Sequence, residues 1–199
     1  ETITYKVLKV AEIGESSVDD RIGHLIADSN NPTVGVLAHP GQVDVRIAAK
    51  AGNAQDAMKL IGPVEDEVRR LLGRHIFAED DETMEHVVGK LLQQRDLTVS
   101  VFEDLTGGLV AERLYRAAPS NFVEGVIGTP PACARRLMRP SRRPENTDVL
   151  LEDPVALTGE LAWAIRTQSE SDLGLALHAV ADPEEVSENL GEGKTFVSI

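Results

Sequence analysis

Apolar residues change their spacing several times along the chain, and each change predicts an element. Ile3, Tyr5 and Val7 alternate with polar neighbours as in a strand. Ser16 and Ser17 followed by Asp19 and Asp20 offer a helix cap with acids in the first turn, and Val18, Ile22, Leu25 and Ile26 share one helical face. Thr33–Ala38 and Val43–Ile47 flank the turn signal His39-Pro40-Gly41-Gln42, so the spacing predicts an antiparallel hairpin. Ala57, Leu60, Ile61, Val64, Val68, Leu71 and Leu72 then form the stripe of a long helix. Gly62-Pro63 is expected to kink it or to start its second half, and Gly73 to end it.

Residues 78–83, Ala-Glu-Asp-Asp-Glu-Thr, read as an acidic connector. After it, Met84, Val87, Val88, Leu91 and Leu92 mark a helix. The order continues as a strand over 97–102, a helix from Leu109, a strand over 122–127, a short helix and a loop. A helix over 154–169, a strand over 173–179 and a final strand over 194–199 close the chain. Trp163, beside Leu161, Ala164 and Ile165, is expected in the core. The expected class is α/β: a small α+β module over residues 1–78, then a layered α/β domain over residues 82–199 with helices on the faces of its sheet.

One segment predicts a site. Leu97, Val99 and Val101 share a buried strand face, Gly107 and Gly108 allow close backbone approach, and Leu109-Val-Ala-Glu-Arg-Leu114 opens a helix whose N–H groups favour an anion. At the corner stand two adjacent carboxylates, Glu103 and Asp104. As a pair they suit acid/base work; as a local device, Asp104 is expected to cap the helix by accepting from the N–H groups around Gly107 and Gly108.

Composition narrows the partners. With 42% hydrophobic residues in 199 the chain has material for a packed core, and no apolar run approaches the ~20 residues that cross a bilayer. No signal pattern opens the chain, so the expected compartment is the cytoplasm, with no membrane partner. The chain begins at Glu1 and enters a strand at once, as a piece of a longer protein would. A net charge of -13 argues against nucleic acid. Its positive residues cluster at Arg135, Arg136, Arg139, Arg142 and Arg143, among Pro140, Ser141 and Pro144, a pattern of a solvated loop or of phosphate capture. A single cysteine, Cys133, rules out an internal disulfide, and the five histidines show no metal-ligand spacing, so no metal and no cofactor are expected.

The run Phe102-Glu103-Asp104-Leu105-Thr106-Gly107-Gly108 resembles the Ala-Glu-Ser-Cys-Thr-Gly-Gly run of the CinA (competence/damage-inducible protein) family. The resemblance extends over nearly all 199 residues: a KH-like middle module, here without a Gly-x-x-Gly clamp, and the C-terminal nicotinamide-mononucleotide deamidase domain. It implies a serine/lysine hydrolase site with the serine at position 104. A second family run, Gly-Gly-Val-Val-Thr-Tyr-Ser-Asn-Glu-Ala-Lys, falls on residues 124–134, so tyrosine becomes Thr129 and the lysine becomes Ala134. The third, Thr-Gly-Ile-Ala-Gly-Pro, becomes His178-Ala-Val-Ala-Asp-Pro183.

These changes imply an inactive CinA-type domain pair that acts as a structural, oligomerisation or ligand-binding module of a larger protein. The degenerate pocket would comprise Glu103, Asp104 and Thr106, with Gly107, Gly108, Thr129 and His178 on the ligand side. By resemblance the partners are a second copy of the chain, a pyridine nucleotide and a preceding molybdopterin-binding-like domain. The alternative is an amidohydrolase acting on nicotinamide mononucleotide or a related pyridine nucleotide through a rebuilt site, with Asp104, Glu103 or Cys133 in the lost roles and a Cys133–His178 pair as one form of it. A third reading is a sensor for a cationic or neutral ligand, drawn by Asp104 and Asp182.

Overall fold

The computed structural model describes residues 1–28, 30–137, 152–181 and 193–199. They divide into two units, Glu1–Val87 and Val88–Ile199. The first contains β1 (Thr2–Val10), α1 (Glu15–Ala27), β2 (Thr33–His39), β3 (Gln42–Ala51), α2 (Ala54–Leu72) and β4 (Ile76–Glu79). In β3 every second residue from Val43 to Ala49 is buried, which fixes one face of an antiparallel sheet ordered β2-β3-β1-β4. Val18 and Ile22 of α1 and Ala57, Ile61, Val68 and Leu72 of α2 cover that face. His39 pairs with Gln42 across Pro40-Gly41, where Gly41 takes a φ of 76° that a side chain would resist.

Ile3 and Tyr5 alternate as expected of a strand and lie on its solvated face, where they are 68% and 53% exposed; Leu8 and Val10 carry the core contact of β1. The chain departs from the sequence expectations in three places here. Helix α1 starts at Glu15 from Gly14, with no side-chain cap, so Ser16 and Ser17 lie inside its first turn. Pro63 neither breaks nor restarts α2, which runs unbroken for 19 residues from the Asn53 cap to Gly73. Pro63 is exposed, so water reaches the carbonyl that its ring leaves without an N–H partner. Ala78 and Glu79 are not connector: they belong to β4, which pairs with β1 and is held to it by Lys6 between Glu79 at 2.9 Å and Asp80 at 2.8 Å.

Helix α3 (Met84–Arg95) leads into the second unit, with β5 (Val99–Glu103), α4 (Leu109–Ala117), β6 (Phe122–Ile127), α5 (Pro130–Leu137), α6 (Pro154–Ser169), β7 (Leu173–Ala181) and β8 (Gly193–Ser198). The sheet order is β6-β5-β7-β8, parallel among the first three and antiparallel at β8. All five residues of β5 are buried, because helices cover both faces. Val99 and Val101 pack with Leu92 of α3 and Leu114 of α4; Phe102 and Ala176 pack with Cys133 and Leu137 of α5 and Leu157, Leu161 and Ile165 of α6. The unit is therefore a helix, sheet, helix sandwich in a mixed α/β protein.

Two contacts set how α6 and β7 enter this sandwich. Asp153 caps α6 by accepting from the N–H groups of Val155 and Ala156, with Pro154 in the first turn. A Cβ on Gly174 would lie 2.1 Å from the Ala162 carbonyl oxygen and 2.7 Å from Arg166 Cβ, so only glycine lets β7 lie this close to α6. Trp163 is not core: it is 45% exposed, since its position faces away from the Leu161, Ala164 and Ile165 side of the helix. No helix among the described residues is long and apolar enough to cross a membrane.

Candidate functional site

The carboxyl ends of β5, β6 and β7 meet at one edge of the second sheet. The helix after β5 lies on one face and those after β6 on the other. Such a reversal opens a crevice where ligands commonly bind in α/β sheets. Residues 104–108, 128–129 and 178–181 line this edge by their place in the chain.

Successive side chains of a strand point to opposite faces, and the two carboxylates at the end of β5 diverge accordingly. Glu103 is fully buried on the α4 side. One of its oxygens accepts from Thr106 Oγ1 at 2.6 Å and from the Val110 N–H at 3.1 Å, and the other from the Ala111 N–H at 2.6 Å. Glu103 is thus the group that satisfies the first turn of α4, the role the sequence reading gave to Asp104. The same bonds occupy N–H groups expected to favour an external anion. The Thr106 hydroxyl is engaged by Glu103. Gly107 and Gly108 have φ of 61° and 99°, and a Cβ on Gly108 would lie 2.6 Å from Ile127 Cδ1. Both positions hold the left-handed backbone that favours glycine, and Gly108 also lies close against Ile127 of β6.

Asp104 points the other way, to β7. Its Oδ2 lies 2.8 Å from His178 Nδ1, and its carboxylate accepts from the Ala179 N–H at 3.2 Å and the Leu105 N–H at 2.5 Å. A carboxylate only accepts, so the imidazole donates from Nδ1. The Asp104 and His178 side chains are 12% and 11% exposed, and the His178 ring lies 6.3 Å from that of Phe196. Each charge-assisted bond contributes about 1.5–3 kcal/mol in such a setting. His178 is 74 residues from Asp104, so no local pattern joins them. The readable signal was paired: serine to aspartate and threonine to histidine, on two strands that become neighbours.

The remaining expected residues have other partners. Thr129 is exposed, and its carbonyl accepts the Cys133 N–H at 3.0 Å at the start of α5. The Cys133 thiol sits in the α5/α6 core, near Gly128, and burial pushes its pKa above the usual thiol value. It is thereby a packed thiol, and His178 is engaged by Asp104 instead. Ala134 lies on α5, and Arg135 and Arg136 are exposed on its last turn. Arg139, Arg142, Arg143, Asp182 and Pro183 lie outside the described residues. Among the described residues no three histidine, cysteine or acidic side chains are grouped to hold a metal ion.

The two halves of the chain match two family models in succession. Residues 5–78 match the KH domain of damage-inducible protein CinA, and residues 81–199 match the CinA C-terminal domain. The chain belongs to the CinA family. It is 34% identical over 196 residues to a CinA-like protein of Acaryochloris marina, an overlap of 98% of this chain and 46% of that one. The chain therefore spans about half the length of the CinA relatives it matches. Among solved structures, a CinA superfamily protein from Enterobacter cloacae is 17% identical with a TM-score of 0.43, over 60% of this chain and 80% of that one. A CinA superfamily protein from Escherichia coli is 15% identical with a TM-score of 0.41, over 57% and 73%.

Proposed function

We propose that this chain is a CinA-type domain pair whose deamidase pocket is catalytically idle, kept as a structural, oligomer-forming or ligand-binding module of a larger protein. One observation carries the reading. At the position where the family resemblance puts a nucleophilic hydroxyl, the Asp104 carboxylate is held by the His178 imidazole and by the N–H groups of Leu105 and Ala179. A carboxylate so bound has no hydroxyl proton to lose. The position matched to the family's lysine holds Ala134, so no amine stands there to take a proton. Nucleophile and base act as a unit, and loss of either removes most of the rate.

The same geometry supports a second reading. An imidazole whose Nδ1–H is fixed by a carboxylate is the arrangement of a general base, so His178 in a rebuilt amidohydrolase would activate a water, with Asp104 as its positioning residue. Ammonia release from nicotinamide mononucleotide separates the two. The idle module releases ammonia at the rate of buffer alone. Turnover that disappears in His178→Ala favours the rebuilt enzyme.

Glu103, Thr106, Gly107 and Gly108 keep a shaping role in either case, since they form the turn on which position 104 is displayed. An acidic sensor pocket gains less support, because the Asp104 charge is already matched by donors. The oligomer, the cytoplasmic setting, the boundaries at residues 78 and 82 and the preceding domain remain part of this proposal.

A further inference from the structure

At the opposite edge of the second sheet, α6, the start of β7 and the end of β8 enclose a cleft of about 340 Å³. Its walls include Trp163, Arg166, Leu173, Ile199, Gly159 and Asp172. His178 lies five positions beyond Leu173 along β7, roughly 16 Å of extended chain, so this cleft is remote from the Asp104 edge. We propose that it binds a small aromatic carboxylate, with the ring against the Trp163 indole and the anionic group on the Arg166 guanidinium.

Three observations point to that chemistry. The first is the indole itself, which is 45% exposed on the wall of the cleft although it is large and mostly apolar. The lack of a side chain on Gly159 leaves room against it, as the nearest atom to a Cβ there is Ser198 Oγ at 3.9 Å. A planar ring slides into such a space and stacks on the indole.

The second is charge. Arg166 and Asp172 carry the charged side chains among the lining set; Asp172 accepts from the Thr98 N–H at 2.8 Å and from Thr98 Oγ1 at 2.7 Å, and also feels the Arg166 charge. Arg166, three residues after Trp163 on the same helix flank, is the cationic element of the wall. A planar guanidinium fits a carboxylate with two parallel bonds. The third is size. Ligand pockets run from about 300 to 1,000 Å³, so a cleft at the lower limit suits one or two fused rings.

Trp163 is the single tryptophan of the chain, so its emission reports this cleft directly. Titration of the purified chain with benzoate and 2-naphthoate, by calorimetry and by Trp163 emission, is expected to give one saturable site seen equally by both. Arg166→Gln, which keeps the Cβ that packs on Gly174, should weaken binding about tenfold or more, the value of one charge-assisted bond pair. The neutral analogue 2-naphthylmethanol should weaken it by a similar factor. Absence of saturable binding at millimolar ligand overturns the proposal, as does equal affinity for the neutral analogue. Emission that shifts with protein concentration alone also overturns it, because a second chain would then be what covers Trp163.

Discussion

The pairing of Asp104 with His178 makes a quantitative demand on stability. In Asp104→Ala the imidazole Nδ1–H and the N–H groups of Leu105 and Ala179 lose their acceptor in a region where the two side chains are 12% and 11% exposed. An orphaned buried donor costs about 1–3 kcal/mol, and the partial exposure lets water recover some of it, so the expected loss is about 2–4 kcal/mol. His178→Ala removes one bond and a ring that lies beside Phe196, for about 2 kcal/mol. The double variant should cost less than the sum, with a coupling of about 1–2 kcal/mol. Urea unfolding read at Trp163 isolates the second unit, since no tryptophan lies in the first. Far-ultraviolet dichroism in the same samples reports both units. Additivity within about 0.3 kcal/mol would refute the pair as an energetic link between β5 and β7.

Other consequences follow from the same contacts. Glu103→Ala strips Val110, Ala111 and Thr106 of their shared acceptor and should lower stability by about 3 kcal/mol, while Glu103→Gln, which keeps one acceptor oxygen, should lose about half of that in the same urea experiment. Burial raises the Cys133 thiol pKa, which lowers its thiolate fraction at neutral pH; a disulfide reagent should therefore react slowly with the native chain and at once in urea, and fast native reaction would revive a thiol nucleophile. The Thr98 N–H and hydroxyl hold the Asp172 carboxyl below its ordinary 3.8. A depressed folded value stabilises above the unfolded pKa and is lost as pH falls through the folded one, so the stability gap between the parent and Asp172→Asn should be constant near neutrality and close below pH 3.8.

Much of the fold was legible because periodicity is a local property. Val43, Val45 and Ile47 declare a strand face, and Pro40-Gly41 declares the turn before them, without knowledge of anything distant. Register of β1 was not legible, since Ile3, Tyr5 and Val7 form one apolar alternation and Leu8 and Val10 another. Only the partner helices select the second. Strand β4 is four residues long and half charged or small, too short to establish a period. Trp163 has an apolar neighbourhood in sequence, yet its angular position on α6 places it outside.

The site followed the same rule. The turn of Gly107 and Gly108 and its helix were local and readable. Which of two adjacent acids caps that helix depends on the side of β5 that α4 covers, and this made Glu103, not Asp104, the cap. The His178 contact arises from parallel pairing of β5 with β7, in which Glu103 stands opposite Leu177 and the next residues meet beyond the strand end. A parallel partner cannot be inferred from either strand alone.

Idleness of the site requires that position 104 carry a bound carboxylate and no working nucleophile. Long-range nitrogen–proton NMR of the His178 ring, recorded in the presence of nicotinamide mononucleotide over hours, tests it most directly because imidazole and nucleotide are observed in one sample. The expected result is an Nδ1–H tautomer that persists throughout, lost in Asp104→Ala, with the nucleotide carboxamide intact. Conversion of that carboxamide to a carboxylate faster than in buffer would contradict it.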